Sequence, residues 1–258
     1  MLSQKPYRLL LVLAAFFLGN ALVAEFIGVK IFSLEKTLGF EPLNFTLLGV
    51  EGLGMDLSAG VLMWPIVFVM TDVINEYYGK RVVRILSYLT IAVILYAFVL
   101  IFGAIALAPN DWWQSISGVI EGDPQSSLSN MNLAFKKIMG QGMWIIIGSM
   151  VAFLVGQIID VTVFHKIKRF TGEKKVWLRA TGSTLVSQFI DSFVVLFIAF
   201  YIGAEWDLVR VLAIGLVNYT YKFFMAVMLT PLIYIAHHFI DKYLGADQAE
   251  EMKQQALT

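Results

Sequence analysis

The stretch Val82-Val-Arg-Ile-Leu-Ser-Tyr-Leu-Thr-Ile-Ala-Val-Ile-Leu-Tyr-Ala-Phe-Val-Leu-Ile-Phe-Gly-Ala-Ile-Ala-Leu-Ala108 carries one charge, Arg84, and none beyond it. Crossing the hydrocarbon of a bilayer takes roughly 20 apolar residues at about 1.5 Å of rise each. Read that way, Val82–Ala108 is a transmembrane helix. Five more runs of this kind flank it: Tyr7–Ile31 and Ala59–Ile74 before it, Gly142–Phe164, Val176–Ile202 and Leu208–Ile240 after it. The expected fold is an all-α membrane protein of six transmembrane helices. Residues 1–258 form one domain, with a polar tail that frays after about residue 242. Composition agrees: 59% of residues are apolar and 15% charged, against about 25% charged in a soluble domain. Mean hydropathy is +0.75. A soluble enzyme is excluded. Lys5 and Arg8 ahead of the first run invite a signal-peptide reading, but that run is too long and no A-x-A site follows it.

Orientation follows from where Lys and Arg fall in short connections. Lys5 and Arg8 sit at the start of the first run; Lys80 and Arg81 fall between the second and third, with Arg84 at the start of the third; Lys166, Lys168, Arg169, Lys174 and Lys175 fall between the fourth and fifth. The alternate connections hold Glu35, Glu41, Glu51 and Asp56, then Asp111, Glu121 and Asp123, then Glu205 and Asp207, with few bases. The alternation puts both termini in the cytoplasm, and the expected location is the plasma membrane. The third connection is the longest: Asp111-Trp112-Trp113 sets two rings at the outer interface, Ser126–Asn130 reads as turns, and Met131–Met139 as a short interfacial helix. The formal net charge is zero, which gives no reason to expect a nucleic-acid partner. There is no cysteine, so thiolate chemistry and disulfides are excluded. No motif calls for a cofactor or a metal.

A charged side chain at mid-bilayer costs at least ~2.5–3.5 kcal/mol on insertion scales, and such groups mark function by default. Gln157-Ile-Ile-Asp160 and Gln188-Phe-Ile-Asp191 each set an amide three residues before a carboxylate, on one helix face. Asp191 lies about 18 Å along its helix from Arg179, and Lys222 about 22 Å in from Asp207, so the two charges can meet at similar depth. Asp160, close before Lys166, belongs to the cytoplasmic third. Asn218-Tyr219-Thr220-Tyr221-Lys222 is a dense polar run, with Asn218 and Lys222 on one face. Asn20 and Glu25 interrupt the first run. The second ends in Thr71-Asp72-Val-Ile-Asn75-Glu76-Tyr77-Tyr78-Gly79, with Asp72, Asn75 and Glu76 on one face; Pro65 within it is expected to kink the helix.

Bland readings stand beside these. Asp191 and Lys222 could be a structural ion pair. Glu76, Tyr77 and Tyr78 could cap an interface above Lys80 and Arg81. His237 and His238 read as a solvated helix end, and Trp64 and Trp144 as packing residues. Taken together, Asp, Gln, Asn and one Lys suit the edge of a flat small molecule. A carboxylate accepts two adjacent N–H groups at once, and Lys222 or an amide donates to a neighbouring carbonyl. Purines, pterins and flavins all present such an edge. An intramembrane enzyme is the alternative of another class, but H-E-x-x-H is absent, no nucleophile has a base, and Gly52-Leu-Gly54-Met-Asp56 has the wrong spacing for an aspartyl protease. An Asp72–Asp191 carboxylate dyad stays open.

The segments Thr71–Gly79, Gly156–Phe164, Ser183–Asp191 and Asn218–Lys222 closely resemble the queuosine precursor transporters, also named vitamin-uptake transporters. The resemblance runs in order from about Asn20 to Tyr234. It implies import of 7-cyano- or 7-aminomethyl-7-deazaguanine for tRNA queuosine synthesis, and a fold like the substrate-binding subunits of energy-coupling-factor vitamin transporters. On that footing Asp191 and Gln188 would read the base, with Lys222, Asn218 and Asn20 completing the site and Trp64 or Tyr219 stacking on the ring. Asp160, Gln157, Asp72, Asn75, Glu76 and Glu25 would gate or couple. A vitamin-binding subunit served by a separate ATPase module is the alternative within transport. The chain has no P-loop, so any ATP use would be a partner's. Ala15-x-x-x-Gly19 is a weak docking pattern, and a homodimer is a guess from such packing patterns.

Overall fold

A computed structural model describes residues 4–115, 118–119, 127–128, 130–171 and 176–256. In chain order these form α1 (Lys5–Ile27), β1 (Ile31–Ser33), α2 (Leu34–Thr37), β2 (Phe45–Leu47), β3 (Val50–Leu53), β4 (Asp56–Ser58), a 3-10 turn (Ala59–Leu62), α3 (Trp64–Ala106), α4 (Asp111–Gln114), β5 (Gly118–Val119), β6 (Ser127–Leu128), α5 (Met131–Met139), α6 (Met143–Thr171), α7 (Val176–Leu196) with a π-helical end (Phe197–Ile202), α8 (Leu208–Leu244) and α9 (Ala246–Gln255). Among the described residues, five helical segments are long and apolar enough to cross a membrane. The expected charges at Glu121, Asp123, Lys174 and Lys175, and the turns at Ser126 and Ser129, lie outside the described residues.

The five arise because the second and third expected runs are joined as α3, with non-helical backbone only at Gly79 (φ 76°, ψ 172°). Left-handed backbone of this kind suits glycine, which has no Cβ to clash. One arm of α3 runs from Trp64 to Tyr78 and the other onward from Lys80, so the polar T-D-x-x-N-E face is helical up to the break rather than partly in a loop. Pro65 sits in the first turn of α3. It replaces an N–H that has no partner there anyway and does not kink the helix, contrary to expectation. The proline that does lie inside a helix is Pro231, in α8.

The connections are not all coil. β1 pairs antiparallel with β4 (Ile31↔Ser58, Ser33↔Asp56) and β2 with β3, so the segment between α1 and α3 folds into a small lid. Glu35 fastens it: its carboxylate is 7% exposed and accepts from the Met55 N–H at 2.7 Å and the Ser33 hydroxyl at 3.0 Å. Burial works against the charge. The hydrogen bonds from Met55, its own N–H, Ser33 and Leu43 outweigh it and hold the Glu35 pKa below the usual value. β5 pairs with β6, which places Ser127 and Leu128 in a strand where turns were expected.

Phe17, Ala21, Met70, Ile74, Leu86 and Phe153 form the largest buried cluster, between α1, α3 and α6. Large apolar side chains such as Val99, Phe224 and Met228 point outward. Lipid is as apolar as these residues, so close packing between helices, not hydrophobicity, sets the arrangement. A Cβ at Gly148 of α6 would lie 3.0 Å from the Val195 carbonyl of α7, so these two helices approach backbone to backbone.

The polar tail after residue 242 holds a helix, α9. α9 packs Ala249 and Met252 against Tyr77, Ile240 and Leu244. Lys253 pairs with Asp241 at 3.0 Å, and Tyr77 donates to Asp241 at 2.7 Å. His237, expected in solvent, is buried and hydrogen-bonded to the Tyr77 hydroxyl at 3.0 Å. The amphipathic pattern of α9 has an apolar partner surface, and that surface decides its fate.

Candidate functional site

The face of α3 read from Thr71 to Glu76 turns wholly inward. Thr71, Asp72, Asn75 and Glu76 are each no more than 2% exposed. Each meets a different partner. Gln157 of α6 donates to the Thr71 hydroxyl at 3.0 Å, and the Asn75 side-chain oxygen meets His165 Nε2 at 2.9 Å. Glu76 is held by Arg179 of α7 through Nη2–Oε1 at 2.6 Å and Nε–Oε2 at 3.1 Å, and by Lys168 of α6 at 3.0 Å. This corrects the interfacial-cap reading: the partners of Glu76 are Lys168 and Arg179, not Lys80 and Arg81. The sequence reading used Lys168 only as a marker of orientation and Arg179 only as the depth reference for Asp191.

Asp72 lies at the wall of a cleft between α3, α7 and α8. The cleft encloses about 350 Å³ of atom-free space, its mouth included. Asp72, Thr181, Thr184, Gln188 and Lys222 are its polar lining, and Val69 and Ile233 are among its apolar walls. Thr184 donates to Asp72 Oδ2 at 3.3 Å, while Asp72 Oδ1 and Gln188 Nε2 are buried without a hydrogen-bond partner. Lys222 Nζ reaches Asp191 Oδ2 at 2.5 Å. Asp160 is fully buried beside this wall. It accepts from Ser187 at 3.1 Å, and its Oδ2 has no partner.

The other candidates are placed elsewhere. Asn20 donates to the Phe16 carbonyl of its own helix and Asn218 to that of Ile214. Trp64 packs on Phe153, with ring centres 5.3 Å apart, and Tyr219 lies edge-on to Phe189. None of the four lines the cleft. Glu25 accepts from Ser149 of α6 at 2.6 Å. Thr181, Thr184 and Ser187 escaped the sequence reading. Their signal was the three- and four-residue spacing that runs on to Gln188 and Asp191 along one face of α7.

Residues 58–236 match the family described as "Putative vitamin uptake transporter". The chain belongs to this family. It is a multi-pass plasma-membrane transporter and not an enzyme. Among relatives, the probable queuosine precursor transporter of Bacillus subtilis (strain 168) is 31% identical over 196 residues, 74% of this chain and 76% of the relative. The queuosine precursor transporter of Escherichia coli (strain K12) is 26% identical over 187 residues, 70% and 72% of the two chains. The probable queuosine precursor transporter of Haemophilus influenzae is 26% identical over 171 residues, 66% and 63%. No solved structure gives a significant match. The family match begins at the last residue of β4, so the lid lies almost entirely ahead of it, while all of the cleft and the Glu76 network lie within it.

Proposed function

We propose that this chain imports queuosine precursors, 7-deazaguanine bases bearing a cyano or aminomethyl group, through the cleft between α3, α7 and α8. The observation that carries the reading is the cleft's inventory. Apolar walls and a few convergent polar groups within a bundle are what a small flat ligand needs, and the named function of the relatives supplies the class. The walls that would meet the faces of the ring are aliphatic, Val69 and Ile233, where the sequence reading expected Trp64 or Tyr219.

The reading includes six crossings with both termini in the cytoplasm. The arms of α3 on either side of Gly79 would each cross once, about 40 Å after the break and about 22 Å before it by helical rise, the shorter arm extended by the 3-10 turn from Ala59. Contacts at one end of the bundle support this count. The Tyr78 hydroxyl donates to the Pro6 carbonyl at 2.7 Å, and Gly79 abuts Ala256. The first helix, the α3 break and the chain's last helix therefore share an end, beside Lys5, Arg8, Lys80 and Arg81, as the positive-inside rule asks of a cytoplasmic face. At the other end the Ser58 hydroxyl donates to the Gly28 carbonyl, so α1 and α3 return together.

The test is thermal stabilisation of the purified protein by 7-cyano-7-deazaguanine, the aminomethyl form, guanine and riboflavin. A ligand at 100 times its Kd stabilises by about 2.7 kcal/mol. Deazaguanines are expected to raise the melting temperature and riboflavin to leave it unchanged. A folded sample indifferent to every deazaguanine would overturn the reading.

A further inference from the structure

Two residues that line the cleft each carry a buried, unpaired atom: Asp72 the acceptor Oδ1, and Gln188 the donor Nε2. Asp72 is 2% exposed and Gln188 5%. Buried polar groups in folded proteins almost always have partners, and each exception asks for an explanation. Here the exceptions differ in sign, stand on different helices and line the same cleft. A ligand that offers N–H groups to one wall and a carbonyl to the other would satisfy both.

The charges around them decide which carboxylate is available. Asp191, the sequence candidate for reading the base, is already engaged by Lys222. Glu76, one turn from Asp72 on α3, is engaged by Arg179 and Lys168. Asp160 of α6 does not line the cleft. Among these carboxyl groups Asp72 alone combines a place on the wall with an oxygen that has no partner. Its Oδ2 takes only the long bond from Thr184 and keeps a lone pair. Both oxygens can therefore receive N–H groups, in the paired geometry that makes carboxylates selective.

We propose that Asp72 and Gln188 are the specificity-determining residues of the cleft. Asp72 accepts from the ring N–H and the neighbouring amino group of the base. Gln188 Nε2 donates to the adjacent ring carbonyl. Asp191 is a positioning residue: it holds the Lys222 ammonium at the wall and does not touch the base. The assignment rests on the reading of the cleft as the base site. It also predicts how near relatives of the base are refused. A ring with oxygen in place of the amino group sets a second carbonyl against the Asp72 carboxylate. Losing a buried partner of this kind is a strong form of discrimination.

The experiment measures Kd of the full-length protein for a 7-deazaguanine and for the analogue with oxygen in place of the 2-amino group. Melting temperatures of the ligand-free variants run alongside. Wild type is expected to prefer the amino form. Asp72→Asn offers a donor as well as an acceptor. It should weaken the amino form by about 10- to 100-fold, the worth of a hydrogen bond to a charged group, and gain affinity for the oxo analogue. Gln188→Glu replaces the donor by an acceptor and should weaken both. Asp191→Asn should weaken both ligands alike and leave their ratio at the wild-type value, with Asp191→Glu restoring affinity. A gain for the oxo analogue in Asp72→Asn cannot come from misfolding. An unchanged preference in a folded Asp72→Asn, or a changed ratio in Asp191→Asn, would overturn the assignment and leave the transport reading intact. Failure of wild type to bind either ligand would overturn both.

Discussion

Glu76 and Arg179 meet across the α3–α7 boundary through two roughly parallel hydrogen bonds, 2.6 and 3.1 Å, with both side chains about 1% exposed. The planar guanidinium fits a carboxylate in this fork better than any ammonium could. Lys168 adds a third contact, from α6. The network thus ties three helices at one end of the bundle. Removing one member of a buried ion pair leaves its partner charged and unsatisfied, at a cost of about 3–5 kcal/mol. Glu76→Gln is expected to destabilise the protein on that scale, and Arg179→Lys to do so nearly as much. Urea or thermal unfolding in detergent measures it; wild-type stability in Glu76→Gln would mean that the network is decorative.

Gly79 makes a second, separable claim. Its backbone, φ 76° and ψ 172°, lies in a region almost confined to glycine, which costs another residue roughly 1–3 kcal/mol. An added Cβ would also lie 3.0 Å from the Ala256 carbonyl. Gly79→Ala therefore meets strain and a clash, and only the clash depends on α9. In a chain ending at Leu244 the substitution should cost less than in the full chain. Equal costs in the two backgrounds, measured as a double-mutant cycle, would mean that α9 does not press on the break.

Much of this was legible in the sequence, and the misses share a cause. Apolar runs locate the crossing helices because the bilayer imposes their length, and they do so to within a few residues. The similar depth of Asp191 and Lys222 follows from rise per residue. Pairings across the bundle depend on rotation about each helix axis, and helices that are apolar nearly all round carry little signal of rotation. Glu76 could therefore be recognised as important but not matched to Arg179 and Lys168, and Asn20, Trp64 and Asn218 could not be seen to face away from the cleft. The polarity of the tail was legible, and the surface that α9 packs on, Tyr77 and its neighbours, was not.

The topology can be checked directly because the chain has no cysteine. Single cysteines at Lys36 and Leu48, in the lid, should react with a membrane-impermeant maleimide added outside intact cells. Cysteines at Lys5 and Glu251 should react only after the membrane is opened. Labelling of a terminus from outside would defeat the six-crossing reading, even with the bundle itself intact.

The lid offers the pH prediction. The Glu35 pKa is held below its usual value by the hydrogen bonds its carboxylate accepts, against the opposing effect of burial. A carboxyl whose pKa is lower in the folded state than in the unfolded state stabilises the fold at every pH above the unfolded value, about 4.3. That contribution declines once the pH drops below the unfolded value and is gone below the folded one. The lid should therefore be fully fastened at neutral pH and loosen only in acid. The place to see it is the Met55 amide, which donates to Glu35 at 2.7 Å. Its hydrogen-exchange protection, corrected for the intrinsic pH dependence of exchange, should be flat through neutrality and fall in acid. Glu35→Gln has no charge to titrate. It should give weaker protection at neutral pH and no further loss in acid. An acid loss of the same size in Glu35→Gln would place the pH sensitivity elsewhere in the lid.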